Sequence, residues 1–391
     1  MTKSKDKPTL RFPEFNDAWE QRKVSEITKF HKQGFYTTEN YDSNKKYYLL
    51  RGTDLSENKL ILKDTPKIDA TEKDYQAFKT QVGDFLIVRS GTVGTYGIVY
   101  EDIPAIFGSY LIDFRFDLKQ VTNEFFGYFY QSESFKKQLD QIVQRSANTN
   151  INAENIKSTS IMLPCMNEQV KIGQFFSKLD NLITLHQRKY ENLQNIKKSC
   201  LQKMFPKNGE NIPEVRFPEF SCAWEQRKLS EIASDISAGG DVDKSLLKDH
   251  GKYPVIANAL TNDGIVGYYD EIFRIKAPAV TITGRGDVGH AKARTVDFTP
   301  VVRLLSLKSD HDVFFLENAI NCLKIIVEST GVPQLTVPQL GGYSICIPPT
   351  IDEEKKVGDF FVKIDNLITL HQRKLENLQN IKKGLLQQMF I

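Results

Sequence analysis

Two long stretches of the chain show the spacing of apolar and polar positions that is typical of an amphipathic helix. In the first stretch the apolar residues recur mostly every three or four positions, at Ile172, Phe175, Leu179, Leu182, Ile183, Tyr190, Leu193, Ile196 and Leu201. Neither Gly nor Pro occurs from Gln174 to Phe205, and Pro206 then ends the pattern. The second stretch starts at Thr350, where Thr350 and Glu353 predict a capping box, and continues to the last residue with Gly384 as its one weak point.

These two helices share one sequence. The segment "LDNLITLHQRKYENLQNIKK" at 179–198 returns as "IDNLITLHQRKLENLQNIKK" at 364–383, with 18 of 20 positions identical. A helix of about 38 residues is roughly 57 Å long, longer than a small domain is wide, so its apolar stripe needs a partner. Because a globular segment separates the two helices, we expect them to pair as an antiparallel coiled coil. The predicted seam consists of Leu179, Leu182, His186 and Leu193 in the first helix and Ile364, Leu367, His371 and Leu378 in the second.

The two seam histidines are predicted to be polar residues that fix the register of the pair. Ligation of a metal or catalysis is the alternative for His186 and His371, but no cluster of Cys or carboxylate residues accompanies either of them.

A second repeat precedes each globular segment. "RFPEFNDAWEQRKVSEI" at 11–27 returns as "RFPEFSCAWEQRKLSEI" at 216–232, with 14 of 17 positions identical. We call the two copies of both repeats the frame. The segments that the frame encloses have lost most of their likeness, although the glycine-rich stretches around Gly94 and Gly289 still align. This contrast indicates that both copies of the frame have the same task. It also indicates that the two enclosed segments share one fold but differ in their loops.

The enclosed segments combine strand and helix patterns. Short apolar runs such as "YYLL", "FLIV", "GIVY" and "LIDFRF" predict strands, whereas "NEFFGYFYQSESFKKQLDQIV" and "VFFLENAINCLKIIV" predict helices. The predicted fold class is therefore α+β, with two mixed α/β domains separated and joined by two long helices in an internal pseudo-twofold repeat. The predicted boundaries are 1–165 and 207–349 for the two domains and 166–206 and 350–391 for the two helices.

Composition and charge narrow the class of protein only slightly. The chain has 391 residues, of which 40% are hydrophobic and 26% charged, and its formal net charge is +3. No apolar run approaches the ~18 residues of a membrane span, and the start "MTKSKDKPTL" lacks an apolar core, so we expect a cytoplasmic protein without membrane contact. The five cysteines are odd in number and form no C-x-x-C pair, which indicates buried or idle thiols in a reducing compartment. Charge alone does not predict binding to nucleic acid.

One stretch resembles a cofactor loop. In "TITGRGDVGH", Gly284, Gly286 and Gly289 follow an apolar run with the spacing G-x-G-x-x-G. A dinucleotide-binding loop needs a helix directly behind it, but "HAKARTVDFTP" favours a strand, and the other copy, "SGTVGTYG", breaks the spacing. We therefore predict a turn that joins two strands.

Other catalytic motifs are missing from the sequence. An adenine methyltransferase needs Asn or Asp before Pro-Pro and an aromatic residue after it, whereas Pro348 and Pro349 lie between Ile347 and Thr350. No Walker loop, H-E-x-x-H or G-x-S-x-G occurs. The sequence thus predicts a non-catalytic chain.

The polar loops offer side chains that can recognise DNA. Arg can bond two acceptors on a guanine edge and Asp can accept from cytosine, which is the chemistry of major-groove recognition. The candidates on the glycine-rich turns are Arg285, Asp287, His290, Lys292 and Arg294 in the second copy and Arg89, Ser90, Thr92, Thr95 and Tyr96 in the first. The loops "RSANTN" and "STGVPQ" add Arg145, Asn148, Asn150, Thr330 and Gln334. For each of these residues, the alternative is that it lies on an ordinary solvated turn and contacts no DNA.

The layout of the chain resembles that of the specificity subunits of type I restriction-modification systems. Two recognition domains alternate with two near-identical helices, and the domains end in the similar strands "SIMLP" and "SICIP". "NEQVKIGQFFSKLDNLI" is similar to the Glu-Gln-containing helix start of that family. Glu168 and Gln169 match it, whereas the second copy departs from it with Glu353 and Glu354.

The resemblance implies a subunit that recognises DNA without catalysis. Each domain would be a target-recognition domain that contacts one half of a bipartite double-stranded DNA target through the major groove, and the paired helices would set the spacing. The frame would dock two copies of a methyltransferase subunit, and two restriction subunits can join. No cofactor is expected in this chain, since S-adenosylmethionine, ATP and Mg²⁺ would belong to the partner subunits.

Two alternatives stay open at this point. The chain could be a nucleotide- or S-adenosylmethionine-dependent enzyme that uses the 284–289 loop, or a structural adapter that recognises no bases.

Overall fold

The computed structural model describes residues 7–38, 41–56, 58–89, 95–144, 151–207, 209–326 and 333–391. The chain divides into two compact units. Unit 1 consists of Met1–Arg188 and Arg373–Ile391, and unit 2 consists of Lys189–Gln372. Each unit thus includes part of both long helices. The four-segment division made from the sequence stays a prediction.

Unit 1 is built on a six-stranded sheet. Its strands are β1 (Glu20–Lys23), β2 (Thr28–Gln33), β3 (Tyr47–Leu50), β4 (Leu55–Ser56), β5 (Lys59–Leu60), β6 (Lys67–Ile68), β7 (Phe85–Val88), β8 (Tyr96–Ile98), β9 (Ala105–Phe107), β10 (Leu111–Phe116) and β11 (Ser160–Leu163). Its helices are α1 (Val24–Ile27), α2 (Glu72–Phe78), α3 (Asn123–Gln131), α4 (Glu133–Gln144), α5 (Ala153–Lys157) and the first part of α6 (Met166–Lys203). The sheets have the orders β2-β10-β7-β8-β5-β4, β6-β3-β9 and β1-β11.

The alternation of residues along β10 explains the layers of unit 1. Ile112, Phe114 and Phe116 lie in an aromatic core with α3, α4 and α6, whereas Leu111 faces the opposite side and packs with the residues of the three-stranded sheet. The predicted strands "YYLL", "FLIV" and "LIDFRF" are confirmed. The helical pattern predicted for "NEFFGYFYQSESFKKQLDQIV" is confirmed with one interruption, since Ser132 ends α3 and its Oγ accepts from the Phe135 amide of α4 at 3.2 Å.

Two carboxylates are buried on the second face of this sheet. Asp113 is fully buried, and Arg115 pairs with both Asp84 and Asp113 at 2.7 and 3.2 Å. Burial, together with the nearby charge of Asp84, raises the pKa of Asp113 to about 8. Asp113 is therefore mainly protonated at neutral pH, so the positive charge of Arg115 balances the negative charge of Asp84 alone.

Unit 2 repeats this plan. Its strands are β12 (Glu225–Lys228), β13 (Ala233–Ala238), β14 (Tyr253–Ile256), β15 (Ile265–Tyr269), β16 (Ala279–Ile282), β17 (Ala291–Arg294), β18 (Thr299–Pro300), β19 (Leu305–Ser309) and β20 (Ser344–Ile347). Its helices are α7 (Leu229–Ile232), α8 (Val313–Asn321), α9 (Val337–Gly342) and the first part of α10 (Ile351–Met389). The sheet β13-β19-β16-β17 corresponds to β2-β10-β7-β8, and β12-β20 corresponds to β1-β11. The predicted α+β class and internal repeat are confirmed, but α8 ends at Asn321, short of the predicted "VFFLENAINCLKIIV".

The long helices run antiparallel within each unit. In unit 1, Lys382 of α10 bonds Asp180 of α6 at 2.6 Å, and in unit 2, Lys197 of α6 bonds Asp365 of α10 at 2.6 Å. The repeat relates the two ion pairs, since Asp365 is the counterpart of Asp180 and Lys382 that of Lys197. The same ion pair between the long helices thus forms in each unit, as the repeated sequence predicts.

The predicted seam is only partly occluded. Leu179 and Ile364 are buried, and His186, Leu193, His371 and Leu378 are half-buried. Leu182 and Leu367 are 47% and 44% exposed, so their placement in the seam is wrong. At roughly 100° per residue, Leu182 lies about 100° around the helix from Ile183, which packs against the core of unit 1.

The frame sequence holds each long helix to the rest of its unit. Arg11 donates from Nε and Nη2 to the carboxylate of Glu168, both at 2.7 Å, and the Glu168 side chain is fully buried. In unit 2, Arg216 makes the same bidentate bond to Glu353 at 2.7 and 2.8 Å. The capping box predicted from Thr350 and Glu353 is therefore wrong, because the Glu353 carboxylate is bound by Arg216 instead.

Candidate nucleic-acid interface

The glycine-rich loop of unit 2 connects β16 to β17, which pair antiparallel. This confirms the predicted turn between two strands. Gly286 and Gly289 have φ of +77° and +93°, a region that side chains disfavour. Thr283 closes the loop, since its Oγ1 donates to the Asp287 carbonyl at 2.6 Å and accepts from the His290 amide at 2.9 Å.

Two other segments hold the loop in place. The Leu335 amide donates to the Gly284 carbonyl at 2.9 Å, and Arg285 forms an isolated bridge with Gln334. Asn258 accepts from the Gly284 amide at 2.8 Å and donates to the Val302 carbonyl at 3.1 Å. The backbone of the loop is thus fixed before any ligand arrives.

Four of the predicted DNA-contacting residues lie together on this loop. Arg285, Asp287, His290 and Gln334 are all exposed, and His290 Nε2 lies 3.3 Å from Asp287 Oδ1. They combine a guanidinium, a carboxylate, an imidazole and an amide on one surface. Such a group can donate to and accept from the base edges of a DNA groove.

Lys292 and Arg294 lie on strand β17 and not on the loop, contrary to their prediction as loop residues. Lys292 pairs with Glu317 at 3.6 Å. Arg294 donates to Thr281 Oγ1 at 2.9 Å, and burial lowers the pKa of its guanidinium. Because Arg294 already has partners within the unit, it is a structural residue.

In unit 1 the corresponding loop follows Arg89 and precedes Thr95, which are both half-buried. Tyr96 is only 2% exposed, since its ring stacks on Phe85 at 4.7 Å and fills the space above Gly127. Its prediction as a DNA-contacting residue is therefore wrong. The remaining candidates lie outside the described residues: Ser90, Thr92, Arg145, Asn148, Asn150 and Thr330.

Sequence reasoning missed several residues at this edge of the sheets. Asn258 holds the glycine loop but lies 26 positions before its partner Gly284, so no local motif marks it. Tyr36 and Tyr110 in unit 1 are 74% and 70% exposed and lie in the loops that follow β2 and β9. Exposed aromatic side chains at loop ends are a signal for contact with a partner.

The described part of the chain shows no sign of a metal site or of a membrane span. No group of three or more His, Cys, Asp and Glu residues there could hold a metal ion. None of its helices combines the length and the apolar composition that crossing a bilayer requires. The five cysteines are free thiols and none is buried, which agrees with the second part of the prediction of buried or idle thiols.

Comparison with known proteins points to one family. The model of the type I restriction modification DNA specificity domain matches residues 16–195 and again residues 223–380. A protein of Methanocaldococcus jannaschii, named as the specificity subunit of the type I restriction enzyme MjaX, is 22% identical over 402 residues, which covers 95% of this chain and 93% of that protein. A type I specificity subunit of Mycoplasma pneumoniae, S.MpnORF507P, is 26% identical over 203 residues, 51% of this chain and 53% of that protein.

The fold has a counterpart among solved structures. The crystal structure of a type I restriction-modification S subunit from M. genitalium matches 98% of this chain and 99% of its own, with a TM-score of 0.70 and 16% identity. At this identity the likeness concerns the fold alone.

Proposed function

Because the chain belongs to the family of type I restriction modification DNA specificity domains, we propose that it is the sequence-specific DNA-recognition subunit of a type I restriction-modification complex. Each unit would recognise one half of a bipartite target. The observation that carries the proposal is the exposed group of Arg285, Asp287, His290 and Gln334 on a loop whose backbone is fixed on both sides.

A fixed loop suits recognition of bases. Side chains on a preformed backbone lose less conformational freedom on binding, and a bidentate Arg–guanine contact discriminates between bases by about 1–3 kcal/mol. The other unit has the same sheet but different side chains at the corresponding edge. Two similar folds that carry different side chains at this edge of the sheet support recognition of two different half-sites.

Replacing Arg285 with Ala should weaken recognition at one half-site. We expect discrimination at one or two base positions to fall by roughly 5- to 150-fold, since one base contact is lost. The measurement is sequencing of a DNA library with randomised half-sites after methylation by the complex reconstituted with its methyltransferase subunits.

Arg227→Ala is the matched control for this experiment, because Arg227 is an exposed arginine that pairs with Glu225 at 3.5 Å on the frame. It should leave the methylation pattern intact. An Arg285→Ala complex that methylates the same sequences as the unchanged protein would argue against base recognition by this loop.

The long helices support the proposed partners, two copies of a methyltransferase subunit. Each unit presents an exposed apolar patch on one face of a long helix, Leu182 with Leu185 in unit 1 and Leu367 with Leu370 in unit 2, and the repeat relates the two patches. Two equivalent apolar patches suit two copies of one partner. In this assembly S-adenosylmethionine would be bound by the methyltransferase subunits, and ATP and Mg²⁺ by restriction subunits.

Introducing charge into one patch should remove one of the two partners. For the double variant Leu182→Asp and Leu185→Asp, we expect a complex with one methyltransferase subunit in place of two, because burying the carboxylates at the interface is costly. Native mass spectrometry of the purified complex measures this stoichiometry. Asn192→Asp with Asn195→Asp adds the same charge at exposed polar positions of α6 and should leave two copies bound. Two copies on the Leu variant would contradict the assignment of the patch.

A further inference from the structure

A tight turn lies beside the glycine loop in unit 2, and the corresponding turn in unit 1 lies beside Arg89, which precedes the glycine-rich stretch of that unit. In unit 1 it spans Gly108–Leu111, where the Leu111 amide donates to the Gly108 carbonyl at 2.8 Å. In unit 2 it spans Val301–Leu304, where the Leu304 amide donates to the Val301 carbonyl at 3.0 Å. Both turns lead into the second strand of the main sheet, β10 or β19. They are therefore equivalent four-residue β-turns.

The two turns are held by corresponding backbone hydrogen bonds. The glycine that follows the first strand of the main sheet, β2 or β13, donates to the last residue of the turn. The Gly34 amide donates to the Leu111 carbonyl at 3.0 Å in unit 1, and the Gly239 amide donates to the Leu304 carbonyl at 2.8 Å in unit 2. The packing here is so tight that a Cβ on Gly34 or Gly239 would lie 2.1 Å from a backbone carbonyl oxygen of the turn. The position of the turn is thus set by backbone contacts alone.

The start of each turn is held in the same way. The Gly108 amide donates to the Leu50 carbonyl at 2.9 Å, and the Val301 amide donates to the Ile256 carbonyl at 2.8 Å. Two unrelated local sequences are therefore held by the same backbone hydrogen bonds, although the tips of the turns differ, because φ is positive at Arg303 and not at Tyr110.

The third residue of the turn differs sharply between the units. Unit 1 has Tyr110, which is 70% exposed. Unit 2 has Arg303, whose φ of +69° lies in the left-handed region that a non-glycine residue rarely adopts. A strained arginine at a position where glycine would be easier indicates that its side chain has a use.

Each turn also contacts the segment that leads into or forms the glycine loop of its unit. In unit 1, the Arg89 amide donates to the Tyr110 carbonyl at 2.9 Å. In unit 2, Gly284 approaches the Arg303 carbonyl so closely that a Cβ would lie 2.2 Å from the oxygen, and Asn258 bonds both the loop and Val302. Turn and loop thus form one fixed surface in unit 2, and in unit 1 the turn is bonded to Arg89, the last described residue before the loop.

We propose that this turn is a second base-contacting element, with Tyr110 specifying bases in the half-site of unit 1 and Arg303 in that of unit 2. The proposal rests on the function proposed above and assigns it two further specificity-determining residues. A tyrosine offers an apolar ring for a thymine methyl group and a hydroxyl for a base edge, whereas an arginine bonds two acceptors of guanine. The exchange of one for the other at equivalent turn positions would change the sequence that is recognised without changing the fold.

The test compares Tyr110→Ala and Arg303→Gly in the reconstituted complex by sequencing a methylated library with randomised half-sites. Glycine suits the φ of Arg303, so this variant removes the side chain without disturbing the turn. We expect a loss of discrimination of about tenfold at positions of the unit 1 half-site for Tyr110→Ala and of the unit 2 half-site for Arg303→Gly. If the alanine variant does not fold, Tyr110→Phe takes its place in the comparison, because it keeps the ring and removes only the hydroxyl group.

Two controls lie at the opposite edge of the sheets. Tyr100 is also largely exposed but follows β8 at its other end, and Lys308 lies near the far end of β19. Tyr100→Ala and Lys308→Ala should leave both half-sites unchanged.

Two results would overturn the proposal. The first is an unchanged pattern with both turn variants, and the second is a uniform loss of affinity across all sequences with a weaker dependence on salt, which indicates a phosphate contact. Including Arg285→Ala separates this proposal from the function on which it rests. If Arg285→Ala alters the second half-site and Arg303→Gly does not, only the role of the turn fails; if neither alters it, the function of the surface fails as well.

Discussion

Replacing Glu353 with Ala is expected to lower the free energy of unfolding of unit 2 by about 3–5 kcal/mol. The Glu353 side chain is almost fully buried and accepts from Arg216 Nε and Nη2 at 2.7 and 2.8 Å and from Trp224 Nε1 at 3.1 Å. Its removal leaves the indole N–H without its acceptor and the largely buried guanidinium without a carboxylate, so that the Cys222 carbonyl is the one neutral acceptor left to it among the described residues. Breaking a buried ion pair from one side is more costly than losing an exposed pair, because the remaining charge stays desolvated.

The two tryptophans of the chain allow this loss to be assigned to one unit. Trp19 is buried in unit 1 and Trp224 in unit 2. In a Trp19→Phe background, unfolding by urea followed by fluorescence reports on unit 2. Glu225→Ala is the matched control, since Glu225 is exposed and its pair with Arg227 is 3.5 Å long, and it should cost less than about 1 kcal/mol. An equal loss for both variants would contradict the role given to the Arg216–Glu353 pair.

The repeated frame made most of the fold predictable. Its near-identity indicates two equivalent helices, and the spacing of their apolar residues gives their amphipathic character; the ion pairs of Asp180 and Asp365 confirm the antiparallel arrangement. The role of Glu353 was not predictable in the same way. Its position three residues after Thr350 suggests a local cap, whereas its partner Arg216 lies 137 positions earlier in the chain.

The departure of the second copy from the Glu-Gln motif has a physical explanation. In unit 1 the neutral amide of Gln169 accepts from the Thr122 amide at 3.0 Å and donates to the Pro164 carbonyl at 3.0 Å. In unit 2 the carboxylate of Glu354 accepts from the Asp312 amide at 3.0 Å and lies 2.7 Å from Nδ1 of His311. Glu354 thus has a second carboxylate oxygen where Gln169 has an amide nitrogen, and His311 lies next to that oxygen. The sequence does not show this contact, because it forms only in the folded chain.

The candidate site was predicted only in part. The alignment of the two glycine loops located the group around Arg285, but it could not tell the two faces of a strand apart. Tyr96 and Arg294 belong to strands whose inward faces are covered, and both proved to be buried or internally bonded. Tyr110 and Arg303 were missed because their equivalence depends on backbone contacts that no shared residue marks.

The surface of the long helices was also mispredicted in part. The heptad-like spacing placed Leu182 and Leu367 in the seam, but each helix packs against both its partner and the globular part of its unit. The buried stripe follows Ile172, Phe176 and Leu179, and it leaves Leu182 exposed. The leftover apolar residues on each helix are the ones that support a docking surface for a partner protein.

Exchanging residues 233–345 for the corresponding segment of another family member is expected to change only one half of the recognised sequence. The frame residues Arg216, Trp224 and Glu353 lie outside the exchanged segment, so their contacts are retained. The loops of unit 1 lie outside it as well. Each unit would therefore keep its own specificity.

The most direct test of the account is the methylome of a host that carries this hybrid with its methyltransferase subunits. The account predicts that the half-site of unit 1 stays the same and that the other half-site is replaced by one from the donor protein. A methylome in which neither half-site changes, or in which both change together, would contradict the claim that two units recognise the two halves separately.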